Sequence, residues 1–304
     1  MSCTPSDSHH AYEALKQKIF ALITRGELDR ALELSQEAIA VARAGDDAVL
    51  VDNALCNRAA LLLARGQGQD EVPELRRILM RSASPAVRFL AAYSLCQYHD
   101  QQEELDKCRF YSQTALHWAE LDGNPTFRAR AYNRLANIDL AESYFEAALD
   151  GYRRALELSG DEPSLEGAKI LSNMGYCQAV LGHLDEAFRS LTRSLRDMRR
   201  SDAASWLHLP MLGLSYTYLE MSRHERAARY ARRALMSAEA AGPYQRNQIK
   251  NALYLLGEAE KLCGRDQAAF DCFQHLQMRF YPDQPMVVDV LMATDIRKLI
   301  NLMA

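Results

Sequence analysis

The chain has 304 residues, 48% of them hydrophobic and 25% charged, enough to bury a sizeable core and incompatible with compositional disorder. Its 14 Gly and 9 Pro are too few for the many tight turns of a sandwich or barrel. Lys and Arg number 36 against 40 Asp and Glu, a net charge of -4, which gives no electrostatic reason to expect nucleic acid or an anionic membrane as partner.

In chain order, residues 1–11 are polar and read as a flexible leader without signal or transit peptide. The cysteines, at 3, 56, 96, 108, 177, 263 and 272, form no Cys-x-x-Cys pair and suggest a reducing, cytoplasmic setting. The longest apolar run, Ala59 to Ala64, is far too short to span a bilayer. From there the chain is periodic. Pro85, Pro125, Pro163, Pro243 and Pro282 mark polar breaks spaced by 40, 38, 80 and 39 residues, the 80 being twice the period. Between breaks, Ala, Leu, Arg and Glu recur with helical spacing in two segments, so each repeat is predicted to be a helical hairpin.

A second register marks the turn inside each hairpin: Gly26, Gly66, Gly182 and Gly264, with Glu103, Ser143 and Ser222 at the equivalent places. Glycine suits a helix end because it adopts the left-handed conformation without steric cost. Five residues later comes a small residue in most units: Ala31, Cys108, Ala148, Ala187, Ala227 and Ala269. Seven residues before the turn stand Ala59, Cys96, Ala136, Gly175, Ser215 and Gly257, where two helices would cross closely.

These residues resemble the tetratricopeptide repeat, most clearly through Met174-Gly175, Gly182, Ala187, Leu191 and Leu195 in one unit and Leu256-Gly257, Gly264, Ala269, Phe273 and Pro282 in another. The resemblance covers residues 12 to 282. The period near 40 exceeds the family's 34 or so and is similar to a long-helix branch that includes sensor domains of maltose-regulator-type activators, peptide-pheromone receptors and cell-polarity scaffolds. The second unit departs from the pattern, with Pro73 early in its second helix and no Ala five residues after Gly66. The resemblance implies an all-α, right-handed α-solenoid of about seven hairpins over residues 12–284, whose concave groove is lined by the first helix of each unit.

On that face Arg130, Asn133, Arg134 and Asn137 recur at i, i+3, i+4 and i+7, forming a polar stripe. Lys169 and Asn173 occupy positions equivalent to Arg130 and Arg134, and match part of a Lys/Asn pattern with which some tetratricopeptide proteins clamp a peptide carboxylate. Amide and guanidinium groups are suitable donors for such a role; the alternative is an ordinary solvated face. Arg134 and Lys169 are both expected to be exposed. Tyr216 and Asn251 belong to the same register, as do Asn57, Gln97 and Glu258. Tyr176, Tyr216, Tyr218 and Tyr254 are either binding anchors or core filler.

Eight histidines show no His-x-x-x-His or His-Glu-x-x-His spacing, no phosphate loop follows a strand, and no Gly-x-Ser-x-Gly elbow occurs. No metal and no cofactor are therefore expected. Residues 285–304 read as an amphipathic helix with Val288, Leu291, Met292, Ile296, Leu299, Ile300 and Met303 on one stripe, which caps the last repeat or forms a homodimer. The functional expectation is a cytoplasmic scaffold that binds a protein or peptide in its groove, without chemistry, nucleic acid or membrane. Alternatives are a regulatory sensor whose output acts in trans and, more remotely, an enzyme with an unrecognised site.

Overall fold

A computed structural model describes residues 5–160, 162–242, 244–299 and 301. Among them there are fifteen α-helices and no strand, and the chain divides into two compact units, residues 1–138 and 139–304, with the boundary inside the seventh helix. The first seven helices are α1 (Pro5–Arg25), α2 (Leu28–Ala44), α3 (Ala48–Ala64), α4 (Val72–Arg81), α5 (Pro85–Gln101), α6 (Leu105–Asp122) and α7 (Pro125–Ala141). There follow α8 (Phe145–Ser159), α9 (Leu165–Val180), α10 (Leu184–Arg200), α11 (His208–Glu220), α12 (His224–Ala241), α13 (Arg246–Leu262), α14 (Asp266–Phe280) and α15 (Met286–Ala293). No helix among the described residues is long and apolar enough to cross a membrane.

All seven predicted turn residues have positive φ, from 55° at Ser222 to 84° at Gly26. Each turn closes the same way. At Gly182 the His183 amide donates to the Gln178 carbonyl at 2.8 Å and the Gly182 amide to the Ala179 carbonyl at 3.1 Å. That pair of bonds satisfies carbonyls that the end of a helix would leave bare. The same pair recurs about Gly26, Gly66, Glu103, Ser143, Ser222 and Gly264, so α1 to α14 form seven hairpins.

The small residues do what their spacing predicts. Ala31, Cys108, Ala148, Ala187, Ala227 and Ala269 are all 0% exposed. Two of them meet the residue seven before the turn directly: Ser215 Oγ donates to the Ala227 carbonyl at 3.0 Å, and Cys96 Sγ lies 2.9 Å from Cys108 Sγ. The approach leaves no room at Gly257, where a Cβ would stand 2.4 Å from Phe273 Cε1. In the second hairpin Pro73 falls in the first turn of α4, where its missing N–H is harmless, and α4 has ten residues.

In the second unit α9, α11 and α13, the first helices of three successive hairpins, lie side by side, with α11 packed against both neighbours. They are buried along most of their length. That row positions the residues considered next.

Both chain ends differ from expectation. Residues 5–11 belong to α1 and form no flexible leader: Ser8 is buried, and Tyr12 donates its hydroxyl to Asn53 Oδ1 at 2.7 Å, which ties α1 to α3. Residues 1–4 lie outside the described residues. At the other end the helix predicted for 285–304 stops at Ala293, because Thr294 is extended and Asp295 Oδ1 accepts the Arg297 amide at 3.0 Å, a local bond that competes with helix. Ile296 and Leu299 are therefore not on a helical stripe with Val288 and Leu291; Ile300 and residues 302–304 lie outside the described residues.

Candidate functional site

In the first unit the stripe on α7 is built into the structure. Arg134 Nη1 lies 3.0 Å from Asp100 Oδ2, and the guanidinium carbon stands 5.4 Å from the centre of the Tyr93 ring. Arg130 covers the same ring at 4.4 Å and Phe89 at 5.7 Å. Asn133 is buried and Asn137 half-buried. The Arg134 side chain is only 16% exposed, which corrects the expectation of an exposed residue. Burial opposes its charge, but Tyr93 and Asp100 outweigh that penalty and hold it protonated more firmly than usual. Ile138 of α7 packs with Cys96 and Cys108, and Tyr93 and Asp100 of α5 lie within reach of Arg134.

Lys169, on α9, is half-buried and turned onto an aromatic face: Nζ stands 3.7 Å from the centre of the Trp206 ring. Trp206 also packs with Ala168, Met198 and Ala203, so this cation belongs to a packing cluster. Asn173 and Tyr216 are buried and Asn251 is half-buried. None of the eight expected groove residues is exposed.

Tyr176, Tyr216 and Glu258 share one position, six residues before the turns at Gly182, Ser222 and Gly264, and so recur along the α9, α11, α13 row. The Tyr176 and Tyr216 rings meet edge to face with centres 5.3 Å apart. Burial pushes the Tyr216 hydroxyl up to about 12. Glu258 is fully buried, and burial raises its carboxyl above the ordinary range although Lys261 Nζ stands 2.9 Å from Oε2. Two tyrosines and a buried carboxylate thus share one register on three adjoining helices.

Glu220, which carries no sequence expectation, and Tyr254 complete this face. Glu220, the last residue of α11, pairs with Arg297 Nη1 at 3.3 Å and Lys298 Nζ at 3.2 Å. Tyr254 donates its hydroxyl to Asp295 Oδ1 at 3.4 Å. The one available signal was the run Asp295-Ile296-Arg297-Lys298, which puts three charges into the segment, one of them, Asp295, on the stripe otherwise read as apolar. Among the described residues no group of three or more His, Cys, Asp or Glu side chains is placed to hold a metal ion.

No protein-family profile matches the sequence, and no curated protein matches it. Solved structures do. A Rap protein complexed with competence and sporulation factor superposes with a TM-score of 0.70 at 12% identity, over 93% of this chain and 80% of that one. A tetratricopeptide repeat protein from Parabacteroides merdae gives 0.53 at 17% identity, over 93% and 98%. A Rap conjugation gene regulator in complex with a Phr peptide gives 0.55 at 13% identity, over 95% and 78%. At these identities the likeness concerns the fold, and the fold of this chain is that of tetratricopeptide-repeat proteins.

Proposed function

We propose that this chain is a cytoplasmic binding module that takes an extended segment of a partner polypeptide on the α9, α11, α13 face and performs no chemistry itself. The observation that carries the reading is the recurrence of Tyr176, Tyr216 and Glu258 at one register on three adjoining helices. Tyr176, Tyr216 and Glu258 are buried in the chain by itself, so an extended segment laid along the row gains their aromatic or acidic contacts as the residues that cover them give way, and rigid aromatic side chains supply much of the energy in interfaces of this kind. Asn173 and Asn251 on the same helices have amides able to pair with a peptide backbone. Rap proteins of similar fold, seen with a bound factor or a Phr peptide, support the reading.

The test is selection of displayed random dodecapeptides on the full chain, followed by affinity measurement on Tyr216→Ala and, as a smaller lesion, Asn251→Ala. We expect enriched peptides to lose about 2 kcal/mol or more of binding in at least one variant while circular dichroism is preserved. Enrichment of nothing, or unchanged binding to both folded variants, overturns the proposal.

A further inference from the structure

The segment after α15 is not built like a cap. A cap turns its apolar side chains inward and its charges outward, whereas here Arg297 is 10% exposed at its side chain and Leu299 is 74% exposed. The contacts holding the segment are polar, some hydrogen bonds and some ion pairs. Lys261 Nζ donates to the Leu291 carbonyl at 2.7 Å and the Thr294 carbonyl at 3.4 Å. Tyr254 reaches Asp295, Glu220 receives Arg297 and Lys298, and Asn301 Nδ2 donates to the Leu140 carbonyl. Asp295 in turn grips Arg297, accepting from Nε at 3.0 Å and from Nη2 at 2.5 Å, and so fixes the guanidinium in place.

The receiving surface suits a cation independently of this segment. Glu220 is the final residue of α11, where the partial negative charge of the helix end adds to that of the carboxylate. On the neighbouring α13, Glu258 is fully buried, and Lys261 Nζ faces its carboxylate at 2.9 Å from Oε2. A buried carboxylate is costly and is stabilised by any further cation that approaches. Burial opposes the charge of Arg297, yet Asp295, Glu220 and Glu258 together hold it protonated more firmly than usual.

We propose that Glu220, at the C-terminal end of α11, forms a guanidinium subsite for an arginine-bearing basic peptide of a partner, and that Arg297 of this chain occupies it as an internal competitor. The proposal deepens the function given above and rests on it. A partner must displace residues 294–299, so its apparent affinity is lowered by the fraction of molecules in which the segment is docked.

The probe is a labelled peptide with the sequence of residues 294–301, titrated by fluorescence anisotropy at low ionic strength into the full-length wild type and into full-length Arg297→Ala/Lys298→Ala. If the segment is docked in about nine molecules of ten, the variant binds the probe about tenfold more tightly than wild type. Adding Glu220→Gln to the variant should abolish the gain, and a probe carrying Arg297→Glu should not bind either chain. The probe variant keeps the test decisive should Glu220→Gln fail to fold. In the wild type, saturating probe should raise amide hydrogen exchange at residues 294–299. Equal affinity for wild type and variant, indifference to Glu220→Gln in a folded chain, or unchanged exchange with probe bound overturns the proposal. If selected peptides depend on Tyr216 or Asn251 while the probe binds neither chain, this subsite is wrong and the binding function stands. If no peptide binds at all, both fail.

Discussion

Arg134 on α7 and Asp100 on α5 form an ion pair at 3.0 Å within the first unit, with the guanidinium also laid over Tyr93. Asp100 is the more exposed partner, so the pair lies at the edge of the interface and most of the buried surface is contributed by arginine. The side chain thus acts through its stem and its planar face as much as through its charge.

Replacing Arg134 by Ala should therefore lower the unfolding free energy by about 1–2 kcal/mol, from lost packing and the cation–aromatic contact more than from the partly solvated ion pair. Arg134→Met, which keeps the stem, should recover part of it. Urea unfolding of the full chain is the measurement; an unchanged midpoint for Arg134→Ala would mean that the residue is a free surface cation after all.

Gly257→Ala should be among the most disruptive single-methyl changes. The new Cβ would stand 2.4 Å from Phe273 Cε1 and 2.7 Å from Cδ1, and Phe273 is fully buried. Overpacking of this kind costs about 1–3 kcal/mol. Phe273→Leu on the same chain should couple favourably with it in a double-mutant cycle, because the smaller side chain clears the methyl. Additive losses would show that the clash is relieved elsewhere.

His208, at the start of α11, is 1% exposed, and burial holds its pKa down to about 4. The unfolded chain takes up a proton there below about pH 6.5, while the folded chain does so only near pH 4. The stability contributed by neutral His208 is therefore fully present above pH 6.5 and lost as pH falls through that window, on the order of 3 kcal/mol in total. His208→Leu should flatten this part of the curve. The quantity to follow is the difference in unfolding free energy between wild type and variant from pH 7 to 4; a difference independent of pH would refute the assignment.

Much of the repeat was legible because one backbone event recurs. A helix that turns back within two residues needs a residue with positive φ and carbonyls satisfied by the next amides, and glycine at 26, 66, 182 and 264 announces that need directly. Glu103, Ser143 and Ser222 do the same job at some conformational cost and could be placed only because the period predicted them. The burial of Ala187, Ala227 and Ala269 follows from the same register, since a crossing point admits only small side chains.

The candidate site was legible in position and not in partnership. Helical spacing puts Arg130 and Arg134 on one stripe, but Tyr93 and Asp100 lie more than thirty residues upstream, and nothing local in the sequence announces that contact. Lys169 likewise has the spacing of a groove cation, and Trp206, in the connection between α10 and α11, claims it. For the segment after Ala293 the apolar spacing pointed to a continued helix, whereas Asp295 holds the Arg297 amide and Glu220 holds the Arg297 side chain.

The sequence by itself thus determined the helices, their period, their turns and the small residues at which they cross, because each of these is set by backbone conformation and by neighbours close along the chain. Tertiary structure alone decided which polar residues remain available for a partner. A charge is stabilised or left to solvent according to the groups that folding brings within a few ångströms of it, and for Arg134, Lys169 and Arg297 those groups come from other helices.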